Sequence, residues 1–416
     1  MTVSSPREVA GRFLPDGAYA YSRLVVSLAV ATLAGAGMWA ILVVMPAAQR
    51  EFGVDRGHAS LPYTVMMIAL AAGTILWGRM SDRIGFAVPA ALAAGILGFG
   101  FVAAGLSPNL VAFTAAHALI GFGTGVGFGP LMADVSHWFV RRRGLAVVIV
   151  AAGNYGAGVA WPLAMTVAMP LLGWRMTYAG IGIVVAATVA PLSLLMRRQP
   201  AAGAMARAEA VSEAARADAG LSSRLLLVLL TLAGFSCCVA MSMPQVHIVA
   251  YCGDLGYGVA RGAEMLSLML GLGIVSRIGS GFVADAIGPA PTLLIGSVMQ
   301  GVALLLYLDF NGLTSLFVVS GIFGLFQGGI VPMYALIFRE LLPPRQAGAV
   351  IGVVICATIV GMAFGGYVSG VIFDLTGSYR AAFLNGVAWN AVNVAVVGWL
   401  VWRRRRRAPA ARLAPA

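Results

Sequence analysis

One arginine, Arg277, lies inside a long apolar stretch, where a charged side chain is costly. It belongs to Leu272-Gly-Ile-Val-Ser-Arg277-Ile-Gly-Ser-Gly281, in a predicted helix over residues 262–283. About 15 residues separate it from the start of that helix, or roughly 22 Å along the axis. An arginine at that depth in a bilayer costs from about 2.5 to more than 10 kcal/mol unless it contacts water or an opposite charge. Arg277 therefore needs a partner, and the identity of that partner bears on function.

No predicted apolar stretch has an acidic residue in its middle that would neutralise Arg277. Asp82, Asp134, Asp285 and Glu340 fall at one set of helix ends, and the other acids fall at opposite ends, in loops or in tails. An external anion would supply the missing charge, because a planar guanidinium binds a carboxylate through two parallel hydrogen bonds. Arg277 is therefore predicted to bind a substrate carboxylate. The alternative is a structural arginine bonded to helix carbonyls or to Asp285.

Several polar and aromatic side chains in the apolar stretches are further candidates for a binding site. His247 follows Pro244 near the end of the predicted helix 225–249. A neutral imidazole there can donate to a substrate or carry a proton, and capping or packing is the alternative. The remaining candidates, with packing as their alternative, are Asn154, Tyr155, Gln327, Trp39 and Tyr63.

Enzymatic motifs are missing from the sequence. It has no Gly-x-Ser-x-Gly, no His-Glu-x-x-His and no Walker A loop. The glycine-rich run from Gly121 to Gly129 lacks the spacing and the lysine of a nucleotide-binding loop, but its glycines share one helix face and suit close helix packing. The 4 cysteines show no metal or redox spacing. We therefore expect no enzyme, no catalytic residue, no metal and no cofactor.

The composition predicts a membrane protein. Of the 416 residues, 60% are apolar and 10% are charged, whereas a soluble domain has roughly 45–50% and about 25%. Each spanning helix needs roughly 20 apolar residues. The apolar stretches are 24–47, 60–79, 87–106, 110–133, 145–169, 176–196, 225–249, 262–283, 291–308, 313–337, 347–372 and 381–402. The predicted fold class is an all-α polytopic membrane protein with twelve transmembrane helices.

A repeated element divides these helices into two pseudo-symmetric six-helix bundles. Gly78-Arg-Met-Ser-Asp82-Arg-Ile-Gly85 recurs 203 residues later as Gly281-Phe-Val-Ala-Asp285-Ala-Ile-Gly288. Parallel repeats around a midplane site are typical of transporters. The predicted organisation is a cytoplasmic tail 1–23, a bundle 24–196, a cytoplasmic linker 197–224, a bundle 225–402 and a basic cytoplasmic tail 403–416.

The arginines predict the orientation. All 27 basic residues are arginine, and 21 of them lie on the side of the two termini, with five on the other side and Arg277 between. Because cytoplasmic loops carry the excess of positive charge, both termini are expected in the cytoplasm of a multi-pass bacterial inner-membrane protein. The arginines flank apolar stretches rather than form one face, so the lipid bilayer is an expected partner and nucleic acid is not.

The loop element from Gly78 to Gly85 resembles the major facilitator superfamily, and the resemblance extends over nearly the whole chain. In that family the aspartate of this loop braces a contact between the two halves on the inner side. The resemblance therefore implies a gating role for Asp82, with its neighbour Arg83, and for Asp285 in the second copy. The basic cluster around Arg142 is an expected partner.

A narrower resemblance, to bacterial relatives of the monocarboxylate transporters and oxalate–formate exchangers, is carried by four stretches. They are Glu51 to Arg56, Trp138 to Gly144, His247 through Arg277 to Asp285, and Phe373 to Phe383. In that group the arginine of the eighth span binds the substrate carboxylate, which implies this role for Arg277. The expected function is secondary active transport of small organic anions, monocarboxylates in particular, by alternating access of a monomer. Coupling would be proton symport or anion exchange. The alternative is an efflux carrier for hydrophobic or drug-like compounds.

Overall fold

In the computed structural model, residues 16–139, 142–198, 223–341 and 344–407 are described, and they fold into helices joined by short connections. The helices are α1 (Ala18–Ala34), α2 (Ala36–Phe52), α3 (Arg56–Ile84), α4 (Ala87–Gly105), α5 (Leu110–Thr124), α6 (Gly129–Ser136), α7 (Arg143–Leu194), α8 (Ser223–Asp254), α9 (Val259–Ile287), α10 (Pro289–Asp309), α11 (Leu313–Gln327), α12 (Ile330–Leu341), α13 (Pro344–Thr376) and α14 (Tyr379–Arg407).

These helices make twelve membrane crossings. Eleven stretches are long and apolar enough to span a bilayer, with α1–α2, α5–α6 and α11–α12 each forming one broken span. Helix α7 has 52 residues, but Gly173 interrupts it with φ 73° and ψ 162°. An unbroken helix of that length would extend roughly 78 Å, more than twice the hydrocarbon core of a bilayer. The chain turns back at Gly173, so α7 supplies two spans, and the predicted fold class is confirmed.

The two halves repeat the same close helix contact. A Cβ atom at Gly121 in α5 would overlap the Met66 carbonyl oxygen of α3, and one at Gly324 in α11 would overlap the Met269 carbonyl oxygen of α9. Each pair is separated by the same 203 residues as the repeated loop element. Only glycine permits such an approach between backbones. The predicted packing role of these glycines is confirmed.

The helices extend beyond the apolar stretches at most ends. The first begins at Ala18, inside the predicted tail 1–23, and the last continues to Arg407 at the start of the predicted tail 403–416. Helices continue through the interface until a cap or a positive-φ glycine such as Gly53 or Gly377 ends them. Most of the predicted linker 197–224 and the residues after 407 lie outside the described residues.

The molecule has two faces, which we name by their chain segments. The terminal face carries the start of α1, the end of α14 and the two repeated loop elements. The opposite face carries the connections α2–α3, α8–α9 and α13–α14. The two halves contact each other mainly through α3 against α13 and through α7 against α9.

Candidate substrate site and gate

Arg277 lies on α9 at the contact between the two halves. Its Nε donates to the carbonyl oxygen of Gly328 at 3.1 Å, in the break between α11 and α12. Its Nη1 donates to the carbonyl oxygen of Ala151 at 3.0 Å, in the first part of α7. Its Cζ lies 4.3 Å from the ring centroid of Tyr155, also in α7. The guanidinium therefore connects one helix of the first half to two of the second.

The guanidinium of Arg277 has no carboxylate partner among the described residues. The ion pairs of the described chain involve other arginines, and Asp285 is not in contact with Arg277. Two carbonyl oxygens and an aromatic face carry only partial negative charge, so the full positive charge is not neutralised. The bonds to helix carbonyls match the structural alternative, and they leave the guanidinium without a carboxylate partner among the described residues.

Three of the other predicted site residues lie in the first half, at about the same depth as Arg277. Trp39 in α2 donates from Nε1 to the carbonyl oxygen of Asn154 at 2.8 Å. Asn154 and Tyr155 are consecutive in α7, and Tyr155 forms the surface on which Arg277 lies. The backbone of Gly158 allows Leu270 of the second half to pack against the indole of Trp39. The structure thus brings Trp39, Asn154 and Tyr155 to the same helix contact as Arg277.

In the second half, the predicted site residue Gln327 lies next to a contact of Arg277. It is fully buried at the end of α11, immediately before the Gly328 carbonyl that Arg277 binds. Its Oε1 accepts a hydrogen bond from Gln245 of α8, and its Nε2 has no partner among the described residues. Sequence analysis missed Gln245, although a polar residue directly after Pro244 in an apolar helix was a usable signal.

His247 and Tyr63 lie at a different level, nearer the opposite face. The Nε2 atom of His247 is 2.8 Å from the carbonyl oxygen of Gly366 in α13. The ring of Tyr63 in α3 packs over the same Gly366 backbone. Both side chains are buried between α3, α8 and α13 and neither contacts Arg277. The structure therefore separates the predicted site residues into two groups.

An ion-pair cluster around Arg56 closes the contact between the halves at the opposite face. Arg56 begins α3, and its Nη2 binds both carboxylate oxygens of Asp254, at the end of α8, at 2.8 and 3.1 Å. Asp374, near the end of α13, accepts hydrogen bonds from the backbone N–H groups of Arg56 and Gly57 at 2.8 and 2.6 Å. Asp374 thus caps the N-terminus of α3 from the other half. We call Arg56, Asp254 and Asp374 the gate cluster.

Sequence analysis missed the gate cluster. Arg56 and Asp374 both fall in the stretches that carry the family resemblance, but their positions at helix ends predicted exposed residues. Arg56 is instead 6% exposed. Its Cζ lies 5.1 Å from the ring centroid of Phe373 and 5.9 Å from that of Tyr379.

The predicted gating residues lie at the terminal face and are exposed. Asp82, Arg83 and Asp285 are at the ends of α3 and α9, and Arg142 precedes α7. None of the described ion pairs joins these residues across the two halves. Among the residues that the structure describes, the ion pairs between the halves lie at the opposite face, and the gating role of these four residues stays a prediction.

Comparison with known proteins identifies the family. The family model described as Major Facilitator Superfamily matches residues 28–289 and again 273–416, so the chain belongs to this superfamily and is a multi-pass membrane transporter. It is 28% identical over 341 residues to Monocarboxylate transporter 13 of Bos taurus, covering 78% of this chain and 75% of that protein. It is 23% identical over 351 residues to the Agnestins efflux protein AgnL12 of Paecilomyces divaricatus, covering 82% and 77%.

A solved structure confirms the fold. A bacterial homolog of the human lysosomal transporter Spinster, in an inward-facing and occupied conformation, superposes with a TM-score of 0.70 at 14% identity. The match covers 93% of this chain and 97% of that one.

Proposed function

We propose that this protein is a secondary active transporter of small organic monocarboxylates, in which Arg277 binds the substrate carboxylate. The observation that carries the proposal is the guanidinium of Arg277, which bridges the two halves within the membrane and has no carboxylate among the described residues. One uncompensated positive charge suits a substrate with one carboxylate. The similarity to a protein named as a monocarboxylate transporter supports the same substrate class.

The contacts of Arg277 suggest how binding and conformational change are linked. Arg277 reaches Ala151 in the first half and Gly328 in the second, so an anion bound there would contact both halves at once. In alternating access, the halves move against each other around such a site. With both termini in the cytoplasm, the gate cluster closes the outer face and the exposed loop elements lie at the inner face. We propose that this arrangement is an inward-facing state.

Transport in proteoliposomes tests the proposal. We would measure uptake of radiolabelled lactate, pyruvate and propionate by wild type, Arg277→Gln and Arg277→Lys. Loss of a desolvated charge pair costs 2–5 kcal/mol, so Arg277→Gln should reduce uptake by about 30-fold or more. Arg277→Lys retains the charge and loses the planar fork, so it should be intermediate. Arg261→Gln is the matched control, since Arg261 is an exposed arginine of the same helix, paired with Glu264.

Two outcomes would contradict the proposal. Carboxylate uptake by Arg277→Gln at the wild-type rate would make Arg277 structural. Equal stabilisation of wild type and Arg277→Gln by neutral or cationic compounds, with no response to carboxylates, would favour the efflux alternative, in keeping with the similarity to an efflux protein.

A further inference from the structure

The gate cluster lies beside a group of buried polar atoms that lack partners. Among the described residues, Nε and Nη1 of Arg56, Nδ1 of His247 and the hydroxyl of Tyr379 are buried and accept or donate no hydrogen bond. The rings of His247 and Tyr379 have centroids 5.8 Å apart, and the guanidinium of Arg56 lies over Tyr379. Most buried polar groups in folded proteins are satisfied, so several unsatisfied ones in one place need an explanation.

The hydrogen bond to Gly366 fixes the tautomer of the neutral His247 ring. A carbonyl oxygen can only accept, so Nε2 of His247 must carry a proton in order to donate to it. In the neutral ring Nδ1 is then a bare acceptor, and it is the atom without a partner. Nδ1 can therefore bind a proton without breaking the bond to Gly366.

While the gate is closed, the groups around His247 disfavour a second positive charge beside that of Arg56. The titratable or charged groups on the elements packed against His247 are Arg56 and Tyr63 of α3, Tyr251 and Asp254 of α8, Asp374 of α13 and Tyr379 of α14, and of these the ring of Tyr379 contacts the imidazole. Both carboxylates already bind α3, Asp254 through the guanidinium of Arg56 and Asp374 through backbone N–H groups. Neither carboxylate contacts His247. A buried imidazolium would therefore lie near the Arg56 cation with no partner for its new N–H group.

A cavity adjoins the gate cluster at the opposite face. A cavity of about 400 Å³ lies between the ends of α2 and α8 and is lined by Gln49, Gly53, Arg56, Gly253 and Asp254 among others. Separation of Arg56 from Asp254 would extend this cavity towards His247. Hydration would then stabilise the imidazolium that the closed gate disfavours.

We infer that His247 is a proton-binding site linked to the gate cluster, so that protonation of Nδ1 and opening of the gate at the opposite face occur together. Acid pH then favours the state in which this face is open, and neutral pH favours the closed state. The inference does not depend on which substrate the protein carries. It gives His247 a role separate from the Arg277 site.

Spin labels at the opposite face test this linkage without any substrate. Pro108 and Asn311 are exposed at this face, one in each half, and would be changed to Cys in a Cys356→Ala background. Pulsed electron–electron double resonance would report the distance between the two spin labels in nanodiscs at about pH 8 and about pH 5.5. Histidine titrates over this interval. In wild type, the ratio of long to short distances should rise about fivefold or more at the lower pH, because one linked proton changes an equilibrium by up to about tenfold per pH unit.

Substitution of His247 should remove this response. Gln can still donate to the Gly366 carbonyl but does not titrate, so His247→Gln should show the same distance distribution at both pH values. His247→Asn is the second variant in case the longer amide does not fit. His117→Gln is the matched control, since His117 is equally buried but bonds to Phe113 and Tyr178 within the first half, and it should keep the wild-type response.

The outcomes separate this inference from the proposed function. Arg277→Gln should retain the pH response even though it loses transport. A full response in His247→Gln, or none in wild type, would overturn the inference. A response that survives in His247→Gln and disappears in Asp254→Asn would assign the proton to the carboxylate and would likewise overturn it. Asp55 does not contribute to the pH response. The backbone N–H of His58 donates to its carboxylate, which lowers the pKa of Asp55 and keeps the carboxylate ionised at both pH values.

Discussion

Two arginines join the halves of this protein, and they have opposite surroundings. Arg56, at the edge of the membrane, lies against Asp254 and has Asp374 bound to its backbone. Arg277, inside the membrane, has two carbonyl oxygens and the ring of Tyr155 but no carboxylate among the described residues. The contact at Arg56 is complete within the protein, so it can hold a conformation by itself. The contact at Arg277 leaves a positive charge without a carboxylate among the described residues.

A third arginine forms an ion pair that lies within one half of the chain. Arg23 of α1 forms two hydrogen bonds, at 2.6 and 2.8 Å, to the carboxylate of Asp134 in α6. Its side chain is 2% exposed, and both partners belong to the first half. Such a pair holds one bundle together and is not expected to respond to the relative movement of the two bundles.

The largest effect is expected when Arg277 is given the carboxylate that it lacks. Tyr155→Glu would place an acid where the aromatic ring now faces the guanidinium. An internal ion pair would compete with the substrate, and anion uptake should fall by about 100-fold or more. Uptake in proteoliposomes measures this effect. Normal uptake by a well-folded Tyr155→Glu protein would show that the anion binds elsewhere.

The next largest effect is expected at Arg23. Removing one partner of a buried ion pair leaves an uncompensated charge, so Asp134→Asn should lower the free energy of unfolding by about 3 kcal/mol. Thermal unfolding in detergent measures the change, and the substrate affinity of the surviving folded protein should equal that of wild type. Asp309→Asn is the control, because Asp309 is an exposed acid whose pair with Arg380 spans 4.0 Å. A weakened substrate affinity would place Arg23 in the transport mechanism.

A smaller effect is expected at the gate cluster. Asp254→Asn should shift the closed gate towards the open state by about tenfold, or roughly 1.4 kcal/mol. This is less than for a fully buried pair, because the side chain of Asp254 is 39% exposed. The separation of labels at Pro108 and Asn311 reports the shift at constant pH. Glu264→Gln, at an exposed pair on α9, should leave the separation unchanged.

The smallest effect is expected when Tyr155 keeps its ring. Tyr155→Phe retains the aromatic face beneath Arg277 and removes only the hydroxyl. A cation over an aromatic ring contributes about 0.5–2 kcal/mol, and most of this remains with Phe, so uptake should change less than about threefold. A loss as large as that of Tyr155→Glu would mean that the hydroxyl itself binds the substrate.

Much of the fold could be predicted because each span is encoded locally. A stretch of roughly 20 apolar residues has few alternatives to a membrane helix, and the 203-residue repeat divides the chain in two. The helix ends were less certain, since helices continue past the hydrocarbon core until a capping group ends them. The turn at Gly173 shows this limit, because the helices on both sides of it extend into the gap that the apolar pattern leaves between residues 169 and 176.

The structure brings some of the residues predicted for the site together and separates others, and their roles stay predictions. Arg277 was found because a charge inside an apolar helix is visible without any structure. Gln245 and Arg56 were missed, since a polar residue beside a proline or at a helix end is common and carries little information alone. The sequence predicts His247 as a substrate-binding residue because a neutral imidazole after Pro244 can donate to a substrate or carry a proton, whereas the packing places it beside Gly366 and the ring of Tyr379.

The sequence by itself determined the membrane fold, the two related halves and the position of one uncompensated positive charge, since each follows from composition or periodicity along the chain. Only the tertiary structure decided that Arg56 meets Asp254, 198 residues away, and Asp374, 318 residues away. Such pairs depend on how two bundles lie against each other. A pattern along the chain describes one helix at a time, so it does not specify them.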